Sequence, residues 1–133
     1  SLETEELSSI LVIKNMRSFE KLEVWQKSHT LVRSVYKLTS MFPKDERYGL
    51  ISQIRRSAVS VPANIVEGRA RRSTKDFIRF LMISRGSLEE LEYLLFLSKD
   101  LTFLDQTSYT YLTKQTGEVS AMLNGLIRSL RDR

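Results

Sequence analysis

Apolar residues recur at alternating three- and four-residue steps in successive blocks of this chain, the period of helices that bury one face. In the first block Leu22, Trp25, His29, Val32, Tyr36 and Thr39 keep the step, and Leu31, Val35, Leu38 and Phe42 widen the stripe. The pattern predicts a helix over 19–41, stopped by Pro43, which pushes the residue before it out of helical geometry. The second block predicts a helix over 45–70 with Leu50, Ile54, Ala58, Val61 and Ile65 as its stripe. Pro62 inside it removes one backbone hydrogen bond, so a kink is expected rather than a break. Ser73-Thr74-Lys75-Asp76 reads as an N-cap followed by an acid, opening a helix over 73–101. Its face is Phe77, Phe80/Leu81, Ser84, Leu88, Leu91, Leu95 and Ser98. Asp105 or Ser108 caps a last helix over 106–131, with Tyr109, Leu112, Thr116, Val119, Leu123, Leu126 and Leu130 as its seam. Short connections and few glycines or prolines point to an all-α fold, an antiparallel up-down four-helix bundle. Residues 16–133 form that domain. Residues 1–15 are read as an extension, a short helix or disorder, with Met16 near the natural start.

The second helix lacks the charged back a surface helix should have. From Ser57 to Val66 it carries no charge, and beside the main stripe it still offers Val59, Ala63 and Val66. Gln53, Ser57, Ser60, Asn64 and Glu67 form a polar stripe about 60° away from the apolar one. A domain of 133 residues can hardly surround a helix alone, so a second burial by self-association is expected. Asn64 and Glu67 face one way, and either make a recognition contact or clamp a helix end or an intersubunit register; the clamp is preferred. Gly68 follows where the chain can need positive φ. Gly86-Ser87 within the third helix hints at close helix approach.

Composition removes several function classes. Without cysteine there is no disulfide framework and no thiolate chemistry. His29 is the one histidine, it lies on the first apolar stripe, and it is expected to be a hydrogen-bonded core residue. No nucleophile relay can be assembled from these parts, so the chain is read as not an enzyme, with no cofactor. Glu89 and Glu92, with Glu67 and Asn64, either supply oxygens to a hard cation or pair with Arg55, Arg56, Arg69 or Arg85; pairing is preferred and no metal is expected. No apolar run approaches the roughly 18–20 residues of a membrane span, and a cytoplasmic setting is expected.

Charge changes the picture more. Residues 44–85 hold ten Lys or Arg against four Asp or Glu, a net of +6, while residues 86–107 hold one Lys against five acids, a net of −4. Arg69, Arg71, Arg72, Lys75 and Arg79, extended by Arg55 and Arg56, make a ridge able to follow a phosphate backbone. The same arginine forks suit carboxylates, and Glu89–Glu92 of another subunit is the alternative partner. No aromatic residue interleaves with the cluster, which argues against base stacking.

Several stretches resemble the 23S rRNA intervening-sequence protein family. They are Phe19-Glu20-Lys21-Leu22-Glu23-Val24-Trp25-Gln26-Lys27, Phe42-Pro43, Tyr48-Gly49-Leu50, Gln53-Ile54-Arg55-Arg56, the run from Ser60 to Gly68, and Gly86-Ser87-Leu88-Glu89-Glu90-Leu91-Glu92. The resemblance spans residues 16–131. It implies a small four-helix bundle assembled as a ring-like homopentamer, encoded within insertions in bacterial 23S rRNA genes. The chain is also similar to the accessory variability determinant of diversity-generating retroelements, a basic pentamer that works with a reverse transcriptase and nucleic acid. By resemblance Arg55, Arg56, Arg69 and Arg72 match basic positions, and Asn64, Glu67 and Glu89 a polar signature. The expected function is RNA binding by a homo-oligomer; the alternative is a scaffold that recruits a protein partner without touching nucleic acid.

Overall fold

The computed structural model describes residues 3–7 and 18–133. Residues 3–7 are an exposed helical segment, and the rest of the N-terminal extension, Met16 included, lies outside the described residues. Four long helices follow: α1 (Glu23–Thr39), α2 (Leu50–Arg69), α3 (Thr74–Asp100) and α4 (Gln106–Arg131). Each packs on its neighbour in sequence, α2 on α3 most extensively, and α1 closes back on α4. Among the described residues there is no strand, and no helix is long and apolar enough to cross a membrane.

Two helices start later than their apolar pattern suggests. Residues Ser18–Lys21 form a separate 3₁₀ turn, divided from α1 by Leu22 in an extended conformation. Lys44–Glu46 form another, divided from α2 by the non-helical Gly49. α2 then runs unbroken through Pro62. Ser73 caps α3 by accepting from the Asp76 amide at 3.1 Å, and Asp105 caps α4 by accepting from the Ser108 amide at 2.7 Å.

The core of α3 is the one its period predicts, with Leu94 added, and that of α4 differs at two positions: Ile127 replaces Leu126, and Tyr109 is only half-buried. On α1 the expectation holds only in part: Leu31, Val35 and Thr39 are buried as expected, and other members of the stripe are not. The buried face is Val24, Ser28, Leu31, Val35 and Thr39, whereas His29 and Tyr36 are exposed and Trp25 is half-buried. His29 is therefore no core residue: its ring stacks on Trp25, centroids 5.0 Å apart and 7° from parallel. Small hydroxyl residues hold the core positions instead, since each can return its hydrogen bond to the helix. Ser28 donates to the Trp25 carbonyl at 2.9 Å and Thr39 to that of Val35 at 2.7 Å.

Two glycines also act differently. Gly68 has no positive φ; a Cβ there would stand 2.8 Å from Phe80 Cβ and 3.0 Å from Phe77 Cδ1, so its role is close approach of α2 to α3. A Cβ on Gly86 would meet nothing within 4 Å, so no close approach within the chain occurs there. Hydroxyls tie α2 to α3 near that level: Ser84 donates to the Val61 carbonyl at 2.8 Å, and Ser60 and Ser87 share a 2.8 Å bond.

Candidate nucleic-acid interface

The end of α2, the turn after it and the start of α3 bring basic side chains together because Gly68 lets the two helices meet closely. A cleft of about 300 Å³ there is lined by Arg69, Arg71, Arg72, Ser73, Thr74 and Arg133 over a floor of Leu22, Phe77, Leu126 and Leu130. Arg133, far away in sequence, is a member that linear spacing did not reveal. Contrary to the expectation that no aromatic residue interleaves with the cluster, Arg71 and Arg79 flank the Phe80 ring, their guanidinium carbons 4.7 and 4.6 Å from its centroid; that ring is buried. The Arg71 fork reaches Glu67 at 3.2 Å, and Arg79 lies 3.8 Å from Asp76. Both are exposed pairs of the kind worth about 0–1 kcal/mol, so a phosphate can displace them at small cost. Arg69, Arg72 and Lys75 are exposed and make no ion pair among the described residues.

Arg55 and Arg56 do not join this cluster. Fourteen residues of α2 separate Arg55 from Arg69, about 21 Å along the axis. Arg55 is built into the fold. Its Nε donates to Thr39 Oγ1 at 2.9 Å, its Nη2 to the Tyr36 carbonyl at 3.3 Å, and its guanidinium lies 4.4 Å from the Tyr36 centroid. Arg56 is exposed beside it, in a shallow groove of about 480 Å³ that also holds Arg47, Tyr36, Tyr48, Ile51 and Val59. The one basic ridge expected from sequence is thus two separate groups. Tyr48, 89% exposed, gives the second group an aromatic neighbour.

The polar stripe of α2 divides as well. Ser57 is buried and donates to the Ile54 carbonyl at 3.0 Å. Asn64 donates to the Ser60 carbonyl at 2.8 Å and to Ser60 Oγ at 3.0 Å, completing a hydroxyl–amide cluster with Ser87 between α2 and α3. Glu67 faces Arg71 instead, so Asn64 and Glu67 act separately. Gln53 and Glu89 are exposed. The expected pairing of the Glu89–Glu92 acids with arginine does not occur within the described residues: Arg85 bonds Asn124 at 3.0 Å. Burial, and then the charge of Glu89, push the Glu92 carboxyl above the ordinary range. Among the described residues no three His, Cys, Asp or Glu side chains gather in a way that would hold a metal ion.

Most of the chain matches a known family model. The 23S rRNA-intervening sequence protein model aligns with residues 20–125, and the chain belongs to that family. A solved structure from Bacteroides thetaiotaomicron VPI-5482, described as a protein of unknown function from the S23 ribosomal protein family, superposes with a TM-score of 0.72. It is 28% identical, over 79% of this chain and 95% of that one. No curated protein matches the chain.

Proposed function

We propose that this chain is a non-enzymatic, homo-oligomeric protein that binds structured RNA in the cytoplasm through the basic end of its helices. The observation that carries the reading is the cleft ringed by Arg69, Arg71, Arg72 and Arg133, whose cations have few and weak internal partners. Lys75 and Arg79 extend it along α3. Guanidinium forks on an apolar floor suit phosphates, and binding through them is only weakly sequence-dependent. Membership of a family linked to rRNA intervening sequences favours RNA as the polyanion. The helices are taken to alternate in direction, since the connections at 70–73 and 101–105 are too short to carry the chain back along a helix. Self-association is supported by the α2 face left open in the single chain, where Val59 is 40% exposed and Ala63 is exposed. Five copies, the count the family resemblance suggests, would turn a weak patch into tight binding by avidity.

The test is a titration of structured RNA against salt. Arg71→Ala with Arg72→Ala weakens binding to unrelated sequences alike and lowers the log–log salt slope by up to about two units per subunit, with the oligomer intact. Binding equal to wild type places the contact elsewhere. A scaffold for a protein partner, such as the reverse transcriptase that the retroelement resemblance suggests, is the second reading, favoured by the exposed Tyr93 and Phe96 of α3. It takes over if the wild-type protein binds neither RNA nor DNA at low salt.

A further inference from the structure

α2 and α3 each carry a second seam on the side away from the core. On α2 it runs Ser52, Arg56, Val59, Ala63, and on α3 Met82, Gly86, Glu89, Tyr93, each by steps of four, three and four, and all of these residues are exposed. Such spacing keeps one face of a helix toward a partner helix. Set antiparallel, the two seams complement one another position by position. Met82 falls opposite Ala63, Gly86 opposite Val59, and Tyr93 opposite Ser52, so every large side chain meets a small one. Glu89 falls opposite Arg56, its neighbour Glu90 opposite Arg55, and Glu92 opposite Gln53. One step further, Phe96, 50% exposed, reaches the groove beside Tyr48 and Ile51.

Resting on the self-association proposed above, we infer that copies of this chain join by laying the outer seam of α3 on the outer seam of α2 of another copy. The chain itself carries the complement to its groove. Among the described residues, Arg47, Arg55 and Arg56 line that groove without a carboxylate, while Glu89, Glu90 and Glu92 cluster on α3 without a cation. A polyanion would meet the groove but be repelled by the acids one helix away; a second copy satisfies both. Gly86, open to solvent in the single chain, is where the two backbones come closest. Because the seams are different surfaces, every copy offers one of each, the arrangement that closes into reciprocal pairs or rings. The two groups of arginines thereby take different roles, the α2 group joining copies while the group at the bundle end is left for nucleic acid.

The experiment is charge reversal followed by light scattering and sedimentation. Glu89→Arg alone and Arg56→Glu alone each weaken association at least tenfold, and the double variant, with the pair restored in opposite sense, recovers it. Both positions are exposed in the single chain, so far-UV circular dichroism stays at the wild-type level throughout. Gly86→Leu is the independent probe, filling space that is open in the chain and closed in the assembly, and it lowers the mass without loss of helix. If the wild-type protein is an oligomer and all three single changes leave its mass unaltered, the seam assignment is overturned while self-association stands. If the single changes spare the mass but abolish RNA binding, the seam belongs to nucleic acid and the inference fails. A monomeric wild type overturns both it and the self-association reading.

Discussion

The two faces of α2 are built from nearly the same kinds of residue and have opposite fates. Inward, Ile54, Ala58, Val61, Ile65 and Gly68 are buried against the other helices, and α3 fastens them with the Ser84 and Ser87 hydroxyls. Outward, Val59 and Ala63 are just as small and apolar but stay exposed in the single chain. Residue type alone does not say which face is satisfied within a fold and which awaits a second molecule. What separates them is fit: a Cβ on Gly68 would already collide with Phe77 and Phe80 of α3, whereas Val59 and Ala63 meet open space.

The sharpest way to break that comparison is to add atoms to both faces. Gly68→Val forces its side chain into Phe77 and Phe80 and costs about 3 kcal/mol, the range of overpacking. The denaturation midpoint falls with an unchanged m-value, and the associated state is lost only as a consequence of unfolding. Ala63→Glu should do the reverse. In the single chain it is a surface change within about 0.5 kcal/mol, but in an assembly it buries an unpaired charge opposite Met82. Association should weaken at least about 100-fold, near 2.7 kcal/mol, with the helical signal unchanged. If Ala63→Glu unfolds the chain, or leaves the mass as it was, the outer face is not an interface.

The same distinction explains how much could be read from the residues alone. α3 was legible because its inner seam is an almost continuous run of Phe and Leu, with Ser84 and Ser98 the only interruptions. α1 was legible only in part: Leu31, Val35 and Thr39 are buried as its stripe suggests, but its core also includes Ser28, while His29 and Tyr36 lie outward and Trp25 is only half-buried. Side-chain size marks a stripe correctly only when the buried positions need size. A small hydroxyl that bonds to its own helix leaves no mark in a hydrophobic pattern. The basic residues failed to form one ridge for another reason. Neighbours in sequence on a long helix are fixed by its rise, so Arg55 stays near Tyr36 and Thr39 while Arg133 arrives at the Arg69 end from the far end of the chain. Family resemblance named the right frame but not this division.

The smallest effect, and the finest probe of the two faces, is the titration of Glu92. Its pKa in the folded chain is raised, by burial first and by Glu89 second. A carboxyl raised above its unfolded value contributes stability that is fully present below the unfolded pKa and lost as pH rises through the folded one. In a sample dilute enough to hold single chains, Glu92→Gln should therefore match the protonated wild type at low pH and become the more stable of the two as pH rises above the ordinary carboxylate range. The gain is small, because Glu92 is only partly buried and solvent screens it. Pairing of copies should reverse the preference. With Gln53 and Arg56 of a second copy beside it, the ionised form gains partners, so wild-type association strengthens with rising pH over the same window in which the single chain loses stability. Denaturation curves at two protein concentrations across that window measure both slopes. Slopes of the same sign at both concentrations would mean that the acids of α3 meet no cation on assembly, and that the outer seam joins copies by its apolar residues alone.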